Sequence, residues 1–104
     1  MNTPLQAFLA SKNVMPDALH INADDVRPLR TTMYPANDYN PAYTVRTIAD
    51  RRQQIYVSMI IEGSDLICYA AGKRGVETCW DVEDRARDMY REILAERKMQ
   101  REAA

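Results

Sequence analysis

The sequence predicts an α+β fold. It reads as an antiparallel three- or four-stranded β-meander with a long C-terminal helix packed on one face, preceded by a short N-terminal helix and an irregular segment. Three observations predict it. Gln54 to Ala71, QIYVSMIIEGSDLICYAA, is two apolar runs joined by Gly63-Ser64, which is the pattern of a β-hairpin. Tyr43 to Ala49, YTVRTIA, is rich in β-branched and aromatic residues and has strand length. From Asp81 onward, apolar residues recur at helical spacing. The expected organisation is a single domain over residues 1–104. The helix and irregular segment fall in 1–42, the sheet in 43–80 and the long helix in 81–100.

The first element is a short helix over residues 3–12. Thr3 can cap it, Pro4 suits the first helical position, and Gln6 completes a capping box. Leu5, Phe8 and Leu9 form its apolar stripe. Residues 13–42 are punctuated by Pro16, Pro28, Pro35 and Pro41. A single helical turn from Asn22 would be stopped by Pro28. Leu19, Ile21, Val26 and Leu29 suggest a segment draped over the core. So long a connection without regular structure is uncommon, so it either holds a further element or is functional.

The first strand is Tyr43 to Ala49. A three-residue loop, Asp50-Arg51-Arg52, would pair Val45 with Val57 and Tyr43 with Met59. A loop of even length would put Arg46 on the core face instead. In the next hairpin a type II′ turn at Gly63-Ser64 places Glu62 opposite Asp65, Ile61 opposite Leu66, Met59 opposite Cys68 and Val57 opposite Ala70. That gives one wholly apolar face. The other face, with Tyr56, Ile60, Ile67 and Tyr69, is apolar enough to need cover as well. Gly72 to Gly75 reads as a turn, and Val76 to Trp80 as a short fourth strand that would bring Cys79 opposite Cys68.

The C-terminal helix opens with Asp81 as N-cap and with Glu83 and Asp84 in its first turn, where carboxylates suit the helix dipole. Val82, Ala86, Met89, Tyr90 and Ile93 form the expected buried stripe. Asp81–Arg85 and Glu83–Arg87 read as pairs on the outer side. Arg97, Lys98 and Arg101 lie near the end, where cations are favourable.

Composition narrows the function classes. The net charge is −1, so bulk charge does not drive the chain toward nucleic acid or an anionic membrane. No run approaches the roughly 18 apolar residues of a membrane span. The N-terminal MNTPLQAFLASK lacks the basic start and long apolar stretch of a secretion signal. The expected compartment is therefore cytoplasmic, with Cys68 and Cys79 reduced.

Catalytic signals are sparse. His20 is the sole histidine, and neither G-x-S-x-G nor H-E-x-x-H occurs. The two cysteines fit no zinc or redox spacing. The acids of residues 81–96 alternate with arginines, as on a solvated helix face. Three glycines, none in an array that cradles phosphates, argue against a nucleotide site. The expectation is no enzyme, no metal and no cofactor.

Two surface features remain. Arg46, Arg51 and Arg52 surround one hairpin, and Lys73 and Arg74 sit on another turn at the same end of a meander. They could contact phosphates. The plainer reading, and the favoured one, is that they are the polar, basic residues that deter edge pairing. The stretch MYPANDYNPAY, residues 33–43, holds Tyr34, Tyr39 and Tyr43 among Pro and Asn. Such a stretch offers large contact area at low entropic cost, or it anchors the loop to the sheet.

A three-stranded sheet followed by a helix opening WDVEDRARDMY resembles AP2-type and integrase-arm DNA-binding domains. The likeness is confined to the start of that helix, and it implies membership of no family. The order of elements is loosely similar to double-stranded-RNA-binding domains, whose basic helix start is acidic here.

The expected function is binding to another protein, through Tyr34, Tyr39, Arg46, Arg51, Arg52, Lys73 and Arg74. Size and lack of motifs suit an accessory or inhibitory protein of phage or mobile-element type. Self-association is a further use of the apolar face. The alternative is a nucleic-acid-binding module, DNA or RNA, using the basic hairpin loops.

Overall fold

A computed structural model describes residues 26–103. The expected helix over 3–12, the turn from Asn22, and His20 lie outside the described residues. Four strands and one helix follow one another: β1 (Val26–Tyr34), β2 (Tyr43–Asp50), β3 (Ile55–Glu62), β4 (Asp65–Lys73) and α1 (Cys79–Ala103). The strands form one antiparallel sheet in the order β1-β2-β3-β4. The helix backbone returns across β3 and β4, and its side chains reach on to β2 and β1. The α+β class and the meander with a C-terminal helix on the sheet are as expected.

The fourth strand is not where the sequence placed it. Val76 to Trp80 forms no strand; an isolated bridge joins Arg74 to Glu77, and the helix begins at Cys79. The additional strand is β1, inside the stretch expected to be irregular. Pro28 is tolerated there because β1 is an edge strand and its ladder shifts register between Pro28 and Arg30.

The loop from β2 to β3 has four residues, Arg51 to Gln54, rather than three. Asp50 explains the length. Its carboxylate is buried, 2% exposed, and accepts hydrogen bonds from the backbone N–H of Arg52 and Gln53 and from Gln53 Nε2. Gln54 closes the turn with a left-handed φ of 57°. The register becomes Val45 opposite Ile60, Ile48 opposite Val57 and Arg46 opposite Met59. Arg46 therefore lies on the face away from the helix.

The hairpin at Gly63-Ser64 forms as expected, with Gly63 at φ 61°, as a II′ turn requires. Glu62 pairs with Asp65 and Ile61 with Leu66. A bulge at Ile67 then shifts the ladder, so that Met59 faces Tyr69 and Val57 faces Ala71, not Cys68 and Ala70. Ile67 and Cys68 both turn toward the helix, as neighbours at a bulge can.

The sheet divides the core in two. Val45, Ile60, Cys68 and Ala70 pack with Val82, Ala86 and Tyr90 of the helix. Ile48, Val57, Met59 and Ile61 form a second buried cluster on the opposite face, flanked by Val26, Ile55, Leu66 and Tyr69. Both faces are apolar and buried. Gly72 lets the helix come close: a Cβ there would meet Val82 Cγ2 at 2.5 Å.

The helix N-cap is Thr78, not Asp81. Thr78 Oγ1 accepts from the Asp81 N–H at 3.1 Å, and Asp81 returns the bond by accepting from the Thr78 N–H at 2.9 Å. Hydrogen bonds to the Asp81 carboxylate from the Thr78 backbone N–H and from its side chain hold that carboxyl below its ordinary range. Met89 is half-exposed and drops out of the expected stripe, whereas Ile93 and Leu94 pack against it. Among the described residues no helix is long and apolar enough to cross a membrane.

Candidate functional site

The expected site residues, Arg46 apart, separate into two groups at opposite ends of the sheet. Eight residues of β2 put about 25 Å between those ends, at roughly 3.3 Å per residue. At one end lies the loop 35–42, with the turn at Gly63. At the other lie the loop 51–54, the end of β4 and the start of the helix. A continuous surface joining the tyrosines to the arginine turns does not form.

At the tyrosine end, Asn37 shapes the loop. Its Oδ1 accepts from the backbone N–H of Tyr39 at 2.9 Å and of Asn40 at 2.8 Å. This is an Asx turn that needs no partner outside the loop. Tyr39 projects from it and is 78% exposed. It borders a cleft of about 350 Å³ whose other wall is Leu94, Arg97, Gln100 and Arg101 of the helix. Lys98 joins that wall in an adjoining cleft. A third cleft of about 370 Å³ opens beside the same loop between Met33, Pro35, Ala42 and Gly63. Met33 is 75% exposed there.

Tyr34 is not a free contact residue. It ends β1 and stacks on Tyr43 with ring centroids 4.7 Å apart, and Tyr43 in turn meets Tyr90 at 4.6 Å. Burial, with the nearby Tyr34 hydroxyl, raises the Tyr43 pKa. The guanidinium of Arg87 lies over Tyr34 at 5.7 Å. The stack anchors the base of the loop from which Tyr39 projects.

Beneath the cleft is a charged tie between helix and sheet. Glu62 accepts from Tyr90 Oη and from Arg97 Nη1, the latter at 2.8 Å. Burial alone would raise the Glu62 pKa, but the bonds from Arg97 and Tyr90 hold it below the usual carboxylate range. The same contact pushes the Tyr90 hydroxyl up, on top of the effect of its burial. Burial and the Glu62 charge raise the Cys68 thiol to about 11, so Cys68 is a thiol and no nucleophile at neutral pH.

Nearer the helix start, Glu83 is a buried carboxylate, 3% exposed. It was expected on the outer side, paired with Arg87. Instead it points to the sheet, pairing with Arg30 and accepting from Thr47 Oγ1 at 3.4 Å. Thr47 and Ser58 share a hydrogen bond of 2.8 Å beside it. Arg30 lies 4.0 Å over the exposed Trp80 ring. The helical spacing held the signal: Glu83, Ala86 and Tyr90 are i, i+3 and i+7, which is one face. Arg85, expected to pair with Asp81, binds Glu77 through Nε and Nη2 and also donates to the Ala71 carbonyl.

At the opposite end of the sheet, Arg51 and Arg52 occupy the exposed loop. Lys73 pairs with Ile55 at the end of β4. The Arg74 N–H donates to the Gln54 carbonyl at 2.8 Å, tying the two turns together. The sequence did place these turns at one end. Arg46 stands apart from them in mid-strand, opposite Thr31 and Met59.

Sequence reasoning missed the helix wall beside Tyr39. Arg97, Lys98 and Arg101 read only as cations suited to a helix C-terminus. Among the described residues no three His, Cys, Asp or Glu side chains gather as metal ligands would. Comparison with protein-family models, with curated proteins and with solved structures gives no match.

Proposed function

We propose that this protein acts without catalysis, by binding another protein at the end of the sheet where the loop 35–42 stands. One observation carries the reading. Tyr39 is almost wholly exposed on a backbone already fixed by Asn37, beside a cleft in the helix. Little ordering entropy is then lost when a partner covers it. Tyrosine and arginine are also the residues that most often dominate protein interfaces. Lys98 and Arg101 around the cleft favour a partner segment with an apolar anchor and flanking acids.

The test is affinity capture from lysate, with and without nuclease, comparing wild type with Tyr39→Ala. The expected result is a discrete protein partner that survives nuclease. Purified, that partner should bind Tyr39→Ala at least about 30-fold more weakly, the scale of an interface hot spot of roughly 2 kcal/mol. Recovery of nucleic acid with no protein, or a partner indifferent to Tyr39→Ala, overturns it.

A further inference from the structure

We infer that the opposite end of the sheet is a second binding surface, one that grips the phosphate backbone of duplex nucleic acid without reading its sequence. The first ground is uncompensated charge. Arg51, Arg52, Lys73 and Arg74 are exposed and form no ion pair with any described residue. Arg27, opposite Ala49 near the start of β1, adds a fifth exposed cation on the next strand. The two acids nearest these turns in the chain, Asp50 and Glu77, are already engaged. Asp50 is turned into its own loop by three hydrogen bonds. Glu77 is held by two from Arg85. Positive charge is thus left at the surface while the neighbouring negative charge is used internally.

The second ground is shape. The tip is held by its own backbone, through Arg74 N–H to Gln54 O and through Gln54 Nε2 to Arg51 O at 2.7 Å. Strands lie about 4.8 Å apart, so the cations from β1 to β4 span about 14 Å. That is close to the roughly 12 Å major groove between two phosphate backbones. Two observations argue against base readout. The side-chain amides of Gln53 and Gln54, which could read base edges, already donate within the loop. The residues of the two turns, 51–54 and 73–76, include no aromatic on which an unpaired base could stack. The occupant that fits is a duplex held by its phosphates.

The experiment is fluorescence anisotropy with a mixed-sequence 20-base-pair DNA duplex, titrated between 50 and 200 mM salt. Five phosphates neutralised, at a slope of about −0.9 each, predict a loss of roughly 500-fold across that range. The double variant Arg51→Ala/Arg52→Ala should bind more weakly, with a slope shallower by about 1.8. Both side chains are exposed, so the variant should fold, and circular dichroism verifies it. Arg91→Ala, which removes a cation from the helix, should leave the slope unchanged. Absence of binding at 50 mM salt, an unchanged slope in the double variant, a strong preference for one duplex sequence, or tighter binding to vesicles containing phosphatidylserine would each overturn the inference.

Discussion

Glu83 and Glu62 both join α1 to the sheet, and they do so in opposite ways. Glu83 reaches from the helix down to the sheet, into hydroxyls and one arginine, with its side chain 4% exposed. Glu62 reaches from the sheet up to the helix, to a phenol and an arginine, with its side chain 16% exposed. The helix accordingly tolerates change at one end more than at the other. At the N-terminal half a charge is enclosed and must keep its partner. Nearer the C-terminus the charge sits at the rim, beside the Tyr39 cleft, and water can replace part of what is lost.

Glu83→Ala should have the largest effect. It leaves Arg30 without its carboxylate and Thr47 with Ser58 as its remaining side-chain partner. The expected cost is about 3 kcal/mol, the lower end for splitting a buried pair, because the Arg30 side chain is itself 37% exposed. Urea unfolding measures it. Replacing both members, as Arg30→Met with Glu83→Met, should recover most of that loss, since the charge goes with its partner. The single variant staying as stable as wild type would show that Glu83 is not enclosed.

Tyr90→Phe comes next. It removes one hydrogen bond to a charged acceptor and keeps the ring packed on Tyr43, so a loss of about 2 kcal/mol is expected in the same assay. Glu62 then adds a pH dependence. Its folded pKa lies below the unfolded one, so the native state binds fewer protons through that interval. The stabilisation is complete above the unfolded carboxylate value near about 4.3 and fades as pH falls through the lower, folded value. Wild type should therefore lose its advantage over Glu62→Gln on acidification from pH 6 to the acid limit of folding. A difference independent of pH would remove the ion pair from the account. The smallest effect belongs to Arg91→Ala. Its partner Asp88 is i,i+3 on the solvated side, both side chains are about two-thirds exposed, and less than about 0.5 kcal/mol should be lost.

Much of the frame was legible in residues alone. The hairpin declares itself by Gly63-Ser64 between apolar runs, and the helix by Val82, Ala86 and Tyr90. β1 was hidden because an edge strand such as VRPLRTTMY needs no alternating apolar residues and tolerates a proline. The loop length was misjudged because an aspartate that caps a turn from within looks, in sequence, like one that faces water. Glu83 was misplaced for a related reason: an acid in the first helical turn already has a sufficient cause in the helix dipole. The basic turns were placed at one end by meander topology alone. The Tyr39 cleft could not be read the same way, since its far wall comes from the last turns of the helix, about 55–60 residues along the chain.

The bulge at Ile67 has a consequence beyond the ladder it interrupts. It acts as a parity switch for the rest of β4. Were Ile67 paired in strict alternation instead of bulged, Tyr69, Ala71 and Lys73 would point at the helix. With the bulge in place, Cys68, Ala70 and Gly72 do so, each smaller than the residue it displaces from that face or, at position 70, no bulkier. The inserted residue therefore sets the thickness of the molecule: it slides the thinnest stretch of the strand under the start of the helix, where Val82 has room only for a hydrogen atom.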